Sequence, residues 1–415
     1  QEEEAKARKL RYISIAKQMA LKSTQLRTEQ ATLKGLMAQQ AYMFNLTYEG
    51  DPADNDIYDG LYAAIKEFKH PLTQSLAGHN KGVRAVVSSE TGNYVYTGGT
   101  QGRVLRWTLS GATRKADTLV SMRDNHLVYA MDLSKDAKTL AVAGNFPKRA
   151  NGNSYFEVYN VGSFSKTPVR IEGVEGDVQQ LKFSADNQTI YILDKNGMSI
   201  KQAGLSGSLR EVVALKQRIN NFDISYDGKV LVAAGNNGKV YSYDISNNFK
   251  ETELYNNGTT LDAIAISKEK LIAIGDNKGN VKLIDPFNKG QELSLVGHVS
   301  SITDIKFSTD GKILATASKD RTIKLWNRSK PNAQPINLRD HDSWVWAIAF
   351  SPDNSQLLGG TQETVIRSWP TSVSTMSNII CNYVDRNMTK DEWATFVADD
   401  LDYEVTCKNF PPSRN

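Results

Sequence analysis

Apolar residues recur at two different periods along the chain, and the change between them divides it. Up to residue 69 they return every three to four positions. Tyr12, Ile13, Ala16, Met19, Ala20 and Leu26 form one series, and Leu33, Leu36, Met37, Gln40, Ala41 and Phe44 another. That spacing places them on one side of a helix, and helix-favouring Ala, Glu, Lys, Gln, Leu and Met dominate the stretch. The polar residues Thr28–Gln30 predict a break, and Glu49-Gly50-Asp51-Pro52 predicts a turn. Asn55 or Asp56 is placed to cap a third helix carrying Ile57, Leu61, Ile65 and Phe68. Residues 1–69 thus read as an α-helical extension, a packing element that would also suit a stalk or linker.

From residue 70 to 372 short β-rich runs alternate with Gly, Asn, Asp and Ser turns. Seven times an apolar residue opens a short strand that closes on Ser before a turn: residues 83–89, 128–134, 178–184, 219–225, 261–267, 302–308 and 345–351. The closing serines lie 45, 50, 41, 42, 41 and 43 residues apart. A period near this length, with four strand-like runs in each, predicts a seven-bladed β-propeller, because one such sheet cannot bury both faces alone and a closed ring does so for all. Residues 373–415 leave the period. Thr389-x-x-Glu392 is a capping box, which predicts a helix carrying Trp393 and Phe396. Cys381 and Cys407 bracket it, 26 residues apart. A disulfide there would stabilise a small appendage by about 3 kcal/mol; two reduced cysteines in a cytosolic protein are the alternative.

The repeating units resemble WD repeats. The best copy is residues 295–327, where Gly297-His298 matches the Gly-His motif and Trp326 the Trp-Asp aromatic, with Asn327 in place of Asp. The resemblance places a buried hydrogen-bonded tetrad at His298, Ser318, Asp320 and Trp326. Other copies are degraded. The first keeps His79 and Trp107 but has Gly99 and Gln101; the seventh keeps His341, Thr361 and Trp369 with Glu363. Tyr159, Tyr243 and Ile284 stand at the Trp position in three more, and the third unit, ending near Gln202, is the poorest match. The resemblance also implies ring closure by Leu72–Leu76 pairing with the strand around Val365–Trp369.

The two ends together resemble the C-terminal half of large bacterial proteins, notably of Bacteroidota. The matching stretches are IAKQMALKSTQ, LMAQQAYMFNLTYEG, DIYDGLYAAI and RNMTKDEW…YEVTC. Such proteins carry a STAND-type signalling NTPase region, often one membrane span, then helices and a propeller. The resemblance implies that this chain starts just after the span and is the sensing or partner-binding arm. Its partner could then be the N-terminal signalling domain of the same polypeptide. The opening QEEEAKARK, without Met, fits a processed product or a piece of something longer. A disulfide would place the propeller in the bacterial cell envelope, on the extracytoplasmic side of the inner membrane; the cytoplasm is the alternative. No NTPase motif is present, so no NTPase activity carries over.

Composition narrows the chemistry. In 415 residues, 40% are apolar and 23% charged, which suits a globular chain with a sizeable core. A formal charge of +4 is too weak a bias to predict nucleic acid as partner. Two cysteines exclude a disulfide-rich scaffold and a Cys-based zinc site, and no run of 18 apolar residues exists to span a bilayer. Of the five histidines, His79, His298 and His341 stand at the Gly-His position, His126 close to it, and His70 elsewhere. They belong to different blades and converge on no metal. Gly235-Asn-Asn-Gly238-Lys239 fails the P-loop spacing, and Asp51, Asp54, Asp56 and Asp59 fail the calcium-loop rule at Tyr58 and Asp59, leaving helix-capping acids as the better reading. The chain is expected to use no cofactor, no metal and no catalytic residue.

A partner is expected on the face where the Gly-His turns open. The residues just after each strand-opening apolar are Arg84, Tyr129, Gln179, Asn220, Asp262, Thr303 and Trp346, and Arg218 and Trp344 stand just before two of them. Trp344, Trp346, Arg84 and Tyr129 would form one patch across neighbouring blades seven, one and two. Arg218 and the blade-two insertion with Lys148 and Arg149 extend the same rim. Aromatics with Arg are the composition of interface hot spots. The alternative is that the helices or the appendage cover the two tryptophans. The expected function is a non-catalytic protein- or peptide-binding propeller, the sensor or scaffold arm of a larger signalling protein. Rival readings are a carbohydrate or envelope-ligand propeller and, further off, a propeller-based hydrolase or lyase.

Overall fold

The computed structural model describes residues 2–109, 114–148, 153–286 and 291–412. The chain divides into two compact units. One comprises residues Ser75–Pro331 and Leu338–Ser368; the other comprises Gln1–Gln74, Asn332–Asn337 and Trp369–Asn415.

The first unit is built on seven four-stranded antiparallel sheets among the described residues, a seven-bladed β-propeller. The innermost strands are Val83–Ser88, Leu127–Leu133, Val178–Phe183, Ile219–Ile224, Leu261–Ile266, Ile302–Phe307 and Val345–Phe350. Six sheets run in chain order. The seventh takes Leu76–Ala77 as its outer strand, with Leu76 opposite Ile366 and Ala77 opposite Val365. The predicted closure is therefore present, but shorter than expected. Leu72 lies in the 3-10 turn Pro71–Thr73, and pairing begins only at Leu76. Joining the first and last blades removes an exposed sheet edge.

Apolar cores lie between adjacent blades. Phe156 and Ile171 of blade two pack with Leu181 and Ile190 of blade three, and Leu76 and Leu358 pack with Val95 and Leu105 across the closure. Both faces of each sheet are covered, so second strands such as Thr189–Asp194 and Gln356–Thr361 are buried almost without interruption. This is why they read as apolar runs rather than as an in–out alternation.

The second unit joins the two ends of the chain. Its helices are α1 (Glu2–Gln25), α2 (Ala31–Thr47), α3 (Asn55–Glu67), α4 (Val373–Ile380) and α5 (Lys390–Phe396). The break at Thr28–Gln30 is a 3-10 turn. The third helix is capped one residue earlier than expected. The Asp54 carboxylate accepts the backbone N–H of Asp56 and Ile57 at 3.0 and 3.2 Å, satisfying two of the orphan donors at the helix start. Asp51 accepts the Ala53 N–H at 2.9 Å, so both acids serve turns. The capping box at Thr389 and Glu392 is formed.

Residues 1–69 and 373–415 share one core here. Met19, Leu36, Met37, Leu61, Met376 and Trp393 are all buried, and Phe44 meets Trp393 edge-to-face at 6.2 Å. Cys381 and Cys407 form a disulfide. Asn387 clamps the segment beyond it: its amide accepts from the Cys407 N–H at 2.8 Å and donates to three backbone carbonyls. Among the described residues no helix is long and apolar enough to cross a membrane.

Candidate functional site

Each of the seven innermost strands carries a register shift near its start, after the first residue in six of them and after the second, Val128, in blade two. The residues skipped in the pairing are Arg84, Tyr129, Gln179, Asn220, Asp262, Thr303 and Trp346. A bulge residue drops out of the ladder and its side chain is re-aimed. Repeated round the ring, the seven bulges turn seven side chains into one mouth at the end of the central channel, and all but Asn220 line its outer cavity of about 610 Å³.

Hydrogen bonds sort these seven. Gln179 donates to the Asn220 carbonyl at 2.5 Å, Asn220 to the Leu261 carbonyl at 2.9 Å, and Thr303 to the Val345 carbonyl at 2.5 Å. Asp262 accepts from the Ser301 hydroxyl of the next blade at 2.8 Å. These four staple blades together. Arg84, Tyr129 and Trp346 remain. Among the described residues neither the Arg84 guanidinium nor the Tyr129 hydroxyl makes a hydrogen bond or ion pair. Arg84 lies over the Trp346 ring, 4.2 Å from its centroid. Gly82 permits this arrangement, since a Cβ there would stand 3.0 Å from the Trp346 ring. Burial lowers the Arg84 pKa, and burial with the Asp177 charge pushes Tyr129 up to about 12.

Trp344 is 51% exposed on the same rim, with the Lys319 ammonium 5.5 Å from its ring centroid. Arg218 and Lys195 also line the mouth. The structure thus brings Trp344, Trp346, Arg84, Tyr129 and Arg218 together. Lys148 is exposed beyond buried Phe146 and is not among the side chains lining this cavity, and Arg149 lies outside the described residues.

Sequence reading missed the charges deeper in the channel. Lys182 pairs with Asp223 at 3.1 Å and Lys306 with Asp304 at 2.6 Å. Asp132, Asp223 and Asp304 each accept a backbone N–H from the next blade, from Phe183, Ile266 and Ile348, at 2.7, 3.1 and 2.9 Å. The inner edge of each blade has unpaired N–H groups, and these carboxylates satisfy them. Burial raises the Asp132 pKa. The available signal was the third and fifth positions of the strand copies, where Asp304 and then Asp132, Lys182, Asp223 and Lys306 stand.

At the opposite end, loops cross the opening. Lys135 donates to the Tyr226 carbonyl at 2.5 Å, and Lys268 pairs with Glu90 at 2.9 Å while lying 4.7 Å from the Tyr226 ring centroid. These contacts tie blades one, two, four and five over a cavity of about 310 Å³. The mouth with Arg84 carries no such straps among the residues described.

The tetrad of blade six is present with one member corrected. His298 Nδ1 meets Asp320 at 2.8 Å and His298 Nε2 meets Thr316 at 2.8 Å, while the Trp326 indole donates to the Thr316 hydroxyl at 2.9 Å. Thr316, not Ser318, therefore joins imidazole to indole. Ser318 lies two residues on, so its side chain falls at the strand end, where it donates to the Ser300 carbonyl and accepts the Asp320 N–H. Burial opposes ionisation of Asp320, but hydrogen bonds from His298 and Thr322 hold its carboxyl well below the usual range. The same shift in register applies to blade one, where Thr97 links His79 and Trp107 at 2.8 and 2.7 Å. The Gly99 substitution thus leaves that link intact. In blade seven the equivalent position is Gly359, and Thr361 serves the turn by accepting the Glu363 N–H. Blade two uses another device. Buried Glu157 receives both Arg123 terminal nitrogens at 2.8 Å and the Tyr159 hydroxyl at 2.7 Å.

Comparison with known proteins agrees with this architecture. The WD domain, G-beta repeat, matches residues 70–108, 290–327 and 333–369. WD repeat and SOCS box-containing protein 1 of Homo sapiens is 35% identical over 107 residues, 26% of this chain and 25% of that protein. Serine-threonine kinase receptor-associated protein of Gallus gallus is 23% identical over 215 residues, 51% of this chain and 57% of that protein. Target of rapamycin complex subunit wat1 of Schizosaccharomyces pombe is 27% identical over 143 residues, 34% of this chain and 45% of that protein. The chain spans about a quarter of the length of the first of these relatives.

Proposed function

We propose that this chain is a non-catalytic propeller that binds a protein or peptide at the channel mouth. The observation that carries this reading is the sorting of the seven bulge side chains. Four are consumed in stapling blades, while Arg84, Tyr129 and Trp346, with exposed Trp344 beside them, are left facing outward. Aromatic and Arg side chains dominate the binding energy of protein interfaces. The relatives named as a serine-threonine kinase receptor-associated protein and as a subunit of a target of rapamycin complex support a role in assemblies. An enzymatic role is disfavoured by blade six itself. Its hydroxyl–imidazole–carboxylate chain runs through Thr316, which is fully buried, and its Ser318 hydroxyl points to a backbone carbonyl, so blade six offers no accessible nucleophile beside the imidazole.

In the finer reading, the chain is the sensor or scaffold arm of a larger STAND-type signalling protein, on the extracytoplasmic side of a bacterial inner membrane. The Cys381–Cys407 disulfide supports an oxidising compartment. A free-thiol count on denatured protein isolated from its native cells without reductant tests that placement. Two free thiols would return the chain to a reducing compartment.

The binding role is tested by capture from envelope and soluble fractions, followed by titration of each captured protein in pure form. Wild type is compared with Trp344→Ala/Trp346→Ala/Arg84→Ala. A purified protein bound by wild type and lost by the folded variant supports the reading; equal affinity for both sinks it. Exposed Trp344 favours one second reading, a carbohydrate site. Glycan-array binding lost on Trp346→Ala would select it.

A further inference from the structure

Resting on the reading of the mouth as a peptide site, we infer that Arg84 is its specificity residue, and that the bound segment presents an aspartate or glutamate side chain to the Arg84 guanidinium.

The argument begins with what other arginines of the ring do. Arg106, Arg123 and Arg367 each hold a carboxylate, at 2.7, 2.8 and 2.8 Å. Arg84 is half-buried like them, yet it has no acid and no hydrogen-bond acceptor among the described residues. Its guanidinium carbon lies 4.2 Å from the Trp346 ring centroid. That contact restrains the group, and its N–H donors, which meet no acceptor among the described residues, are left for a ligand. A planar fork of donors matches a carboxylate in two parallel bonds, and stacking on an aromatic face limits the entropy lost when they form.

The surroundings favour a negative ligand. Arg218 on the rim has no acid among the described residues, and Lys319 lies over Trp344 rather than beside a carboxylate. Lys195 pairs at 3.5 Å with Asp177, and among the described residues lining the mouth Asp262 is the one acid beside Arg84, Lys195, Arg218 and Lys319. A neutral sugar would leave the Arg84 charge uncompensated, which is costly for a partly desolvated group. Trp344 and Tyr129 supply apolar walls for the residues flanking an acidic side chain.

The test begins with a phage-displayed library of random dodecapeptides selected on the intact chain. The best peptide is synthesised with fluorescein and titrated by fluorescence anisotropy. The expected result is Asp or Glu enriched at one position. Replacing that residue by its amide, or Arg84→Ala, should each weaken binding about 10- to 100-fold, and both changes together no more than either alone. Arg84→Lys, which keeps the charge without the fork, should recover part of the loss. Variants are first matched to wild type by circular dichroism and thermal melting. Peptides lost on Trp344→Ala but indifferent to Arg84→Ala would overturn the carboxylate inference and leave the mouth as the binding site. Indifference to both, or no enriched peptide, would overturn the inference and the underlying reading together. A phosphoserine version binding more than tenfold tighter than the glutamate version would overturn the carboxylate in favour of phosphate.

Discussion

In blade six a chain of hydrogen bonds runs Asp320–His298–Thr316–Trp326 through the blade centre. In blade two the corresponding space holds an ion pair, with Glu157 bound by Arg123 and Tyr159 and flanked by Arg170 at 3.3 Å. Both arrangements satisfy buried polar groups that tie a loop to the third strand of the sheet. They differ in how they fail. In blade six Thr316 and Trp326 are neutral, so removing either strands modest polarity, and the Asp320 carboxylate keeps the Val299 and Thr322 N–H groups and the Thr322 hydroxyl as partners. The blade-two pair leaves a full charge when either partner goes. Burial would raise the Glu157 carboxyl, yet hydrogen bonds from Arg123 and Tyr159 outweigh it and its pKa is lowered. The propeller thus tolerates loss of the repeat motif where a second network takes over the same space.

The largest effect is expected at blade two. Glu157→Ala leaves Arg123 uncompensated and should cost about 3–5 kcal/mol in urea unfolding. The double change Arg123→Leu/Glu157→Met should recover most of that, and a double variant as unstable as the single one would show that packing, not charge, carries the blade.

Acid should separate the blades next. His79 and His341 are buried, and burial pushes each down to about 4, with Arg103 and Arg367 adding to it. Unfolded imidazole titrates near ~6.5, so between that pH and about 4 the unfolded chain binds more protons. Stability is fully present above this window, falls as pH drops through it, and levels off below it, by about 3 kcal/mol for each histidine. Hydrogen exchange followed from pH 7 to 4.5 should show protection lost in blades one and seven before blade two, whose Glu157 stays ionised.

Reducing Cys381–Cys407 should cost about 3 kcal/mol, judged from its 26-residue loop. Exchange should then rise in α4 and α5 while both blades keep their protection. Thr316→Val removes the hydroxyl between imidazole and indole and should cost about 1–3 kcal/mol, with a like loss for Thr97→Val in blade one. A negligible loss at Thr316 would sink the claim that the chain is continuous. The smallest effect on stability is expected at the mouth, where Trp344→Ala should stay within about 0.5 kcal/mol of wild type while peptide binding falls.

The tetrad and the mouth differ in how legible they were. His298, Asp320 and Trp326 were readable because the motif fixes their type and spacing. The hydroxyl was misplaced by two positions, since Ser318 and Thr316 lie on the same face of one strand and only the pairing of Leu314 with Trp326 separates them. Glu157 and Arg123, 34 residues apart, match no motif and could not have been found. At the mouth the seven positions were legible, but not their division. Gln179 and Arg84 stand at the same point of the repeat, and nothing in either tells which will meet a neighbouring carbonyl. Asp54 was read among the helix-capping acids but Asn55 or Asp56 was preferred for the third helix, because three acids and an Asn compete within the six residues from Asp51.

The period of the strands, the break between helical and strand spacing, the capping box and the cysteine spacing are properties of short stretches of chain, and they specify the architecture without reference to distant segments. Partnership is different. Whether Arg84 finds an acid, whether Asp132 meets the Phe183 N–H, and whether the two ends of the chain share a core depend on groups brought together from distant segments. Hydrogen bonds act over about 3 Å. Only the folded chain sets distances that short, and so only the fold decided which polar side chains it uses to hold itself together and which it leaves for a partner.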